Sequence, residues 1–173
     1  SSSKTECFLN PIISDILRET PEQRKKRGVR AFILYPTNAL IHSQEERLVE
    51  YLNTNANKNL QKGSRPISFC LYNAGLSLDT TPASTFYRVM NRRDLYDTDN
   101  GTPDIVLTNF SMLEYMLLRE QDAGLLQATS DTLRHIVLDE AHTYTGANVT
   151  EMALQIRRLL LAMDSCRQIS SAT

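Results

Sequence analysis

The sequence contains few cysteines, and they are far apart. Cys7, Cys70 and Cys166 are the three in 173 residues, and no two of them form a C-x-x-C pair. Zinc sites use closely spaced cysteines, and disulfide frameworks use even numbers of them. The sequence therefore argues against both kinds of site, and we expect three buried, reduced thiols in an intracellular protein.

Long apolar runs are also missing. No stretch approaches the roughly 18 apolar residues of a membrane-spanning helix, and no signal-peptide pattern opens the sequence. We therefore expect a soluble, cytoplasmic protein without a membrane partner.

An excess of positive charge is absent as well. Lys and Arg together number 19, Asp and Glu number 20, and the formal net charge is -1. Because a nucleic-acid-binding domain usually carries a strongly basic surface, any such binding here has to come from individual loops. The hydrophobic fraction of 41% in 173 residues is enough for one globular domain with a core.

Hydrophobic periodicity predicts that strands and helices alternate. The predicted strands are residues 29–35, 67–73, 104–108, 134–139 and 167–171, and the predicted helices after the first strand are residues 38–52, 111–119 and 146–163. Thr37 is the expected N-cap of the first of these helices, and Ser111 with Glu114 the capping box of the second. Polar, turn-rich composition predicts loops at 53–66 and 91–103. The alternation implies an α/β fold, with a parallel sheet between helices on both faces.

Two adjacent carboxylates stand at the end of one predicted strand. Residues 135–142 read His-Ile-Val-Leu-Asp-Glu-Ala-His, so an apolar run ends at Asp139 and Glu140. Ligands of open parallel sheets bind at the carboxyl ends of the strands. We therefore interpret Asp139 as a ligand of Mg²⁺, and Glu140 as the base that orients and deprotonates a water attacking a nucleotide phosphate. The alternative is that both acids are merely solvated.

The start of the chain resembles the end of a phosphate-binding loop. Such loops end in Gly-Lys-Ser/Thr at the start of a helix, where the lysine reaches the outer phosphates and the hydroxyl binds Mg²⁺. Lys4 and Thr5 precede a helical segment here, but Ser3 stands where glycine is expected. By itself the Lys-Thr pair is far more often a solvated helix start, and only the carboxylate pair gives it weight.

Five short motifs occur in a fixed order along the chain. They are Lys4-Thr5, Tyr35-Pro36-Thr37-Asn38-Ala39-Leu40, Asp104-Ile105-Val106-Leu107-Thr108-Asn109, Asp139-Glu140-Ala141-His142 and Ser171-Ala172-Thr173. Their order and spacing resemble the first RecA-like domain of superfamily 2 DEAD/DEAH-box helicases over essentially the whole chain. Longer strings, at residues 4–9, 108–119 and 139–146, resemble a branch of large bacterial DNA-repair and phage-defence helicases, many with a C-terminal zinc-binding domain.

The resemblance implies a RecA-like P-loop NTPase fold that lacks its first strand and binds ATP with Mg²⁺. Lys4 matches the phosphate-loop lysine, and Thr5 the hydroxyl that binds Mg²⁺. Asp139 matches the metal-binding acid and Glu140 the acid that activates water.

Three further residues match groups that couple the nucleotide state to the grip on nucleic acid. These are His142, Ser171 and Thr173. A link between the imidazole and a hydroxyl at neighbouring strand ends is the expected physical form of that coupling. The alternative for His142 is an ordinary histidine whose hydrogen bonds are satisfied near the end of the sheet.

Four residues are expected to contact the nucleic-acid backbone, at two points where a strand gives way to a helix. They are Pro36, Thr37, Thr108 and Asn109. Hydroxyls, amides and helix N-termini at such points bind sugar-phosphate without reading bases. The same residues can be ordinary N-caps, and the two roles are compatible. Gln44 either faces the same track or is a solvated polar residue.

The basic run Arg24-Lys25-Lys26-Arg27 suggests nucleic-acid binding at first sight. It precedes a strand, so it lies at the amino end of the sheet, opposite the expected active end. We therefore interpret the run as a solvated turn.

The sequence as a whole is expected to be part of a larger protein, since the resemblance covers only part of the helicase ATP-binding domain. The adenine-recognition segment and the second RecA-like domain, which normally supplies an arginine finger, have no counterpart in residues 1–173. With Ser3 in the phosphate loop, we expect the isolated chain to bind nucleotide weakly or not at all, and to be inactive as an enzyme. The expected function is ATP-dependent movement on DNA. The alternatives are an RNA helicase, a non-hydrolysing nucleic-acid-binding scaffold, or the motor of a nuclease-linked restriction system.

Overall fold

A computed structural model of the chain describes residues 2–52, 59–60, 62–72, 87–90 and 102–172. In chain order the helices are α1 (Ser2–Arg18), α2 (Pro21–Lys25), α3 (Asn38–Tyr51), α4 (Phe110–Leu118), α5 (Ala123–Thr129) and α6 (Ala147–Ala172). The strands are β1 (Ala31–Tyr35), β2 (Ile67–Tyr72), β3 (Tyr87–Met90), β4 (Ile105–Asn109) and β5 (His135–Leu138). Much of the two expected loops, residues 53–58, 61 and 91–101, lies outside the described residues.

The strands form one sheet in the order β3-β2-β4-β1-β5, and every neighbouring pair is parallel. The expected α/β class is therefore confirmed. In the register of the sheet, Leu34 pairs with Thr108 on one side and with Leu138 on the other. All described strand ends consequently face the same edge, which we call the carboxyl edge. The sequence did not predict β3.

Helices cover both faces of the sheet because its central strands are apolar on both sides. Side chains alternate along a strand, so Ile33 and Leu107 pack with α1 and α3 on one face. Phe32 and Val106 pack with α4, α5 and α6 on the other. All five residues of β1 are buried, which is typical of a central parallel strand. β5, the outermost strand next to β1, is only half-buried.

The opposite edge, which we call the amino edge, is held by a buried carboxylate. Asp104 is fully buried and immediately precedes β4. Arg24 Nη1 and Nη2 donate to its two oxygens at 2.7 and 2.9 Å, and Arg65 Nη2 and Nη1 donate at 2.7 and 3.1 Å. The backbone N–H of Ser68 adds a bond of 3.0 Å. These residues form the Asp104 cluster, which joins α2, β2 and β4.

A second buried carboxylate extends this arrangement. Glu19 follows α1 and accepts from Arg30 Nε at 3.2 Å and from Arg24 Nη1 at 3.5 Å. Arg134 also donates to Glu19. The interpretation of Arg24 as part of a solvated turn is therefore wrong. Local sequence could not show this, because the main partner of Arg24 lies 80 residues away; Lys25, the next residue, is exposed as expected.

The predicted last strand at 167–171 is also wrong. α6 continues through Ala172, so Ser171 lies in a helix, and Thr173 lies outside the described residues. No glycine or proline interrupts the sequence after Asp164, and a helix satisfies its own backbone hydrogen bonds while a strand needs a neighbour. Arg167 Nε, which donates to the Ser130 carbonyl, ties this part of α6 to the end of α5.

Two smaller expectations also fail. Cys7 is exposed, while Cys70 is buried as expected. The N-cap of α4 is Asn109, whose side chain accepts from Met112 N at 2.8 Å, so Ser111 and Glu114 do not form the expected capping box. Asparagine is among the best capping residues, and it stands directly where the strand ends.

None of the helices among the described residues is both long and apolar enough to cross a membrane.

The Asp104 cluster predicts a large loss of stability when its charge is removed. In Asp104→Asn the buried guanidinium of Arg24 loses its nearest counter-charge and keeps only Glu19 at 3.5 Å, and breaking a buried pair costs about 3–5 kcal/mol. Urea unfolding of the chain measures this free energy. The matched control is Glu22→Gln, which breaks only the exposed pair with Lys25 and should leave stability nearly unchanged. Equal losses in both variants would contradict this account.

The same cluster predicts acid sensitivity. Burial alone would raise the pKa of Asp104, but the hydrogen bond from Arg24 and the charges of Arg65, Arg24 and Arg30 hold that pKa below its ordinary value. A depressed folded-state pKa contributes stability above the unfolded-state pKa of about 4. This contribution is lost as the pH falls through the folded-state pKa. Unfolding free energy measured from neutral pH downward should drop below about pH 4, and Asp104→Asn should flatten that drop.

Candidate functional site

The acidic pair lies at the carboxyl edge, beside the central strand. Asp139 directly follows β5, and its backbone N–H donates to the Leu34 carbonyl at 3.0 Å. Its neighbour across the sheet is Tyr35, the last residue of β1. Burial and, second, the negative charge of Asp139 raise the pKa of Tyr35 above its ordinary value. The negative charge of Asp139 therefore acts electrostatically on the side chain at the end of β1.

The backbone at Glu140 is in an unusual conformation. Glu140 has φ 51° and ψ 37°, the left-handed region, and no other non-glycine residue in the described part of the chain has a positive φ. Side chains disfavour this region, and such strain concentrates at functional sites. The Asp139 carboxylate accepts from the Glu140 N–H at 2.8 Å, and the Thr143 hydroxyl donates to the Glu140 carbonyl at 2.8 Å. These two bonds hold the turn.

His142 lies next to Glu140 and not next to a strand-end hydroxyl. Its Nε2 is 3.3 Å from Glu140 Oε2, and its side chain is 70% exposed. The expected link to Ser171 required a further strand end beside β5. Because Ser171 belongs to α6, the basis for that link is gone. Thr173 lies outside the described residues.

Lys4 and Thr5 are in the first turns of α1, which agrees with the expected helix start. Lys4 is exposed, whereas Thr5 is buried and its hydroxyl donates to Gln44 Oε1 at 3.2 Å. Gln44 is 9% exposed, so the alternative of a solvated glutamine is wrong. The bond joins the start of α1 to α3, the helix that follows β1.

One contact links α1 to β5 and bears on where the start of α1 lies along the sheet. Near its other end, Asp15 contacts His135, the first residue of β5, at 2.6 Å. From Asp15 back to Lys4 the helix rises about 16 Å at roughly 1.5 Å per residue. From His135 to Asp139 the strand advances about 13 Å at roughly 3.3 Å per residue. A helix α1 that runs along β5 would therefore bring Lys4 to a height similar to that of Asp139.

Magnesium is compatible with these side chains. No group of three or more His, Cys, Asp or Glu side chains in the described residues could hold a metal by itself. Mg²⁺, however, needs only one or two protein oxygens and takes its other ligands from phosphate and water. The Asp139 carboxylate and the Thr5 hydroxyl are oxygen ligands of the required kind.

The residues expected to contact nucleic acid form two capped helix starts. Thr37 Oγ1 accepts from Leu40 N at 3.5 Å, which confirms it as the N-cap of α3. Asn109 caps α4, and its Nδ2 donates to Asn38 Oδ1 at 2.6 Å. Two helix N-termini are therefore tied together at the carboxyl edge, next to Pro36.

Thr108 is different from the other three. It is fully buried, and its hydroxyl donates to the Tyr72 carbonyl at 2.7 Å. Its side chain therefore joins β4 to β2 and is not offered to a ligand.

A cleft of about 620 Å³ opens between these helix starts and α6. Thr37 and Asn109, from the helix starts, line it together with Tyr144 and Gln155. The Tyr144 ring packs edge-to-face on Phe110, with centroids 5.2 Å apart and an angle of 88°.

Sequence reasoning missed Gln155, although a signal was present. Gln155 lies between Met152 and Leu159 on the buried stripe of α6, where an apolar residue is the rule. A polar side chain at such a position indicates either a buried partner or a ligand. Tyr144 had no sequence signal beyond its place after the acidic motif.

Comparison with known proteins agrees with the geometry. The DEAD/DEAH box helicase family matches residues 1–173. Druantia protein DruE of Escherichia coli is 27% identical over 96% of the chain, and the helicase YprA of Bacillus subtilis, described as an uncharacterised ATP-dependent helicase, is 30% identical over 92%. The matched regions span 14% and 17% of those two proteins.

A solved structure shows the same relationship in three dimensions. The DUF1998 helicase MrfA superimposes with a TM-score of 0.61 and 27% identity over 95% of the chain, which corresponds to 21% of MrfA. The parallel sheet and the acidic pair at its carboxyl edge are consistent with what these matches show. The chain belongs to the DEAD/DEAH box helicase family.

Proposed function

We propose that this chain is part of the first motor domain of an ATP-dependent helicase that moves on DNA. The observation that carries the proposal is the position of Asp139 and Glu140 at the carboxyl edge, beside the strand end that leads to Thr37. The site of nucleotide hydrolysis and the site of nucleic-acid binding would then lie next to each other at the same edge of the sheet. A second RecA-like domain of the same polypeptide would close the site from outside.

The nucleotide is held by groups from two elements. Lys4 is exposed at the start of α1 and would reach the outer phosphates. Asp139 and the Thr5 hydroxyl would hold Mg²⁺, which neutralises phosphate charge when bound. Because Thr5 donates its proton to Gln44, the lone pairs of its oxygen are free to face the metal.

Glu140 is the base. Its half-buried carboxylate follows the metal-binding acid, and the left-handed backbone turns it away from the line of β5. In hydrolysis it would orient the attacking water and accept its proton. His142, 3.3 Å away and largely exposed, is placed to contact both Glu140 and an incoming second domain.

Nucleic acid would lie across the two capped helix starts. The N-termini of α3 and α4 direct backbone N–H groups and positive dipole ends toward a phosphate. Thr37 and Asn109 fix these helix starts, and Pro36 leads into the first of them. Such contacts suit DNA and RNA alike; DNA is favoured by the resemblance to DNA-repair and phage-defence helicases.

A non-hydrolysing, nucleic-acid-binding scaffold is the second candidate. The observation that favours it is Ser3, which stands before Lys4 where a phosphate loop has glycine. ATP hydrolysis distinguishes the two candidates.

Glu140→Gln tests the assignment of the base. In the full-length protein it should lower the kcat of nucleic-acid-stimulated ATP hydrolysis by about 100-fold or more, because the water loses its proton acceptor. ATP binding should persist. Glu22→Gln, the same change at an exposed site of the amino edge, is the control and should keep full activity. Unchanged hydrolysis in Glu140→Gln would refute the role, and single-stranded DNA compared with RNA as stimulator identifies the substrate.

Gln44→Met tests the orientation of the Thr5 hydroxyl. The substitution keeps the volume but removes the acceptor, so the hydroxyl is no longer fixed. Loss of about 1 kcal/mol of orienting energy should raise the Mg²⁺ concentration for half-maximal ATPase about 3- to 10-fold. Gln127→Met, on the exposed side of α5, is the control. A Mg²⁺ dependence equal in both variants would show that Gln44 does not act through the metal site.

A further inference from the structure

The cleft is lined by a buried carboxamide whose oxygen has no hydrogen-bond partner within the described protein. Gln155 is only 3% exposed, yet its Oε1 has no hydrogen-bond partner among the described residues. Burying an unpaired polar atom costs stability, so native proteins nearly always pair such atoms. Here the amide lines the cleft. Its missing partner is therefore expected to come from a molecule that enters the cleft.

A second unpaired group lines the same cleft. The Tyr144 hydroxyl is buried and also lacks a partner among the described residues. Burial raises the pKa of Tyr144 to about 12, so the hydroxyl stays protonated at neutral pH and can donate as well as accept. Two unpaired polar groups on one cleft make a common ligand the simplest explanation for both.

The charge of the cleft argues against a phosphate as that ligand. Its charged lining residues, within the described part of the chain, are Glu114 and Glu151, and no lysine or arginine is among them. Arg158 lies 3.2 Å from Glu114 but lies outside the lining. Arg158 pairs with Glu114, but a phosphate in this cleft would still meet the carboxylate of Glu151 and would find no lysine or arginine in the lining to bind it. A neutral ligand with N–H donors would instead meet favourable acceptors.

The aromatic residues indicate what the ligand is. Phe110 and Tyr144 present an apolar, aromatic corner beside the amide. Nucleobases stack or pack on such rings irrespective of sequence. A glutamine amide pairs with the donor-acceptor edge of a base, and a cleft of about 620 Å³ is in the usual range for small ligands.

The cleft lies beside the N-termini of α3 and α4. Thr37 and Asn109, which cap the N-termini of α3 and α4, line the same cleft, and these helix N-termini are the part suited to phosphate. We propose, building on the proposed function, that the cleft takes one unstacked nucleobase of the bound strand, whose N–H edge is held by Gln155 and Tyr144 while the backbone stays at the two helix N-termini. The motor thus grips bases as well as sugar-phosphate.

The proposal makes opposite predictions for stability and for binding. Tyr144→Phe and Gln155→Leu remove unpaired groups, so neither should lower the unfolding free energy of the protein. Both should weaken binding of a short single-stranded DNA by the full-length protein, Tyr144→Phe by about 2- to 10-fold. A purely structural role would instead lower stability and leave affinity alone. Tyr115→Phe and Gln127→Leu, at exposed positions, are the matched controls.

Abasic DNA separates base contacts from backbone contacts. The parent protein should bind normal single-stranded DNA about 5- to 100-fold more tightly than the same strand with abasic sites, and Gln155→Leu should shrink that ratio. The salt dependence of binding should be the same for both proteins, because the phosphate contacts are retained. Equal affinity of the parent for normal and abasic strands would overturn the proposal.

Two further outcomes distinguish a failure of the proposed function from a failure of the cleft proposal. Absence of any nucleic-acid binding would refute the proposed function itself, whereas salt-sensitive binding that ignores the bases would refute only this inference. A cationic peptide is the other neutralising ligand that an acidic cleft could take. If an oligo-arginine peptide loses affinity for Gln155→Leu while DNA binding is unchanged, the cleft is a protein-docking site and the proposal is wrong.

Discussion

The structure depends on the ion pair between Asp104 and Arg24 at the amino edge of the sheet. Both side chains are almost completely buried, so removing either one leaves the other without its shortest ion pair. The pair joins α2 to the foot of β4, and Arg65 brings in the segment before β2. Glu19 extends the same arrangement to Arg30, before β1. Four of the five buried charged residues among the described ones therefore lie at this edge, where they hold the layers together and take no part in the proposed chemistry; the fifth, Asp122, accepts from Tyr72 at the end of β2.

The opposite edge carries the groups that remain available for ligands. Parallel pairing directs every described strand end there, and the paired strands bring Tyr35, Asn109 and Asp139 to neighbouring positions. The left-handed backbone conformation of Glu140 is energetically unfavourable, and among the described non-glycine residues it occurs at this edge alone. Thr5, held by Gln44, connects the first helix to the same region. The division into a structural edge and a chemical edge follows from the parallel topology itself.

Sequence reasoning succeeded where the signal was local. Apolar runs located β1, β2, β4 and β5, and Thr37 was recognisable as a cap because capping needs only three neighbouring residues. It failed where partners are distant: Arg24 looked solvated because Asp104 is 80 residues away. It also failed at 167–171, where a short β-like sequence continues α6. The cleft could not be foreseen, because Gln155 meets the helix starts of α3 and α4 only through the packing of α6.

The proposed nucleotide site and the cleft both adjoin the end of β1, so nucleotide and nucleic acid would be separated by little more than one strand end. The central claim is that Thr5 and Asp139 face one metal ion across the carboxyl edge. A structure of the full-length protein with Mg²⁺ and a non-hydrolysable ATP analogue tests it most directly. The account predicts that the Thr5 hydroxyl and the Asp139 carboxylate both contact the metal or its waters, with Lys4 on the outer phosphates. A nucleotide bound elsewhere, with Asp139 facing only solvent, would contradict it.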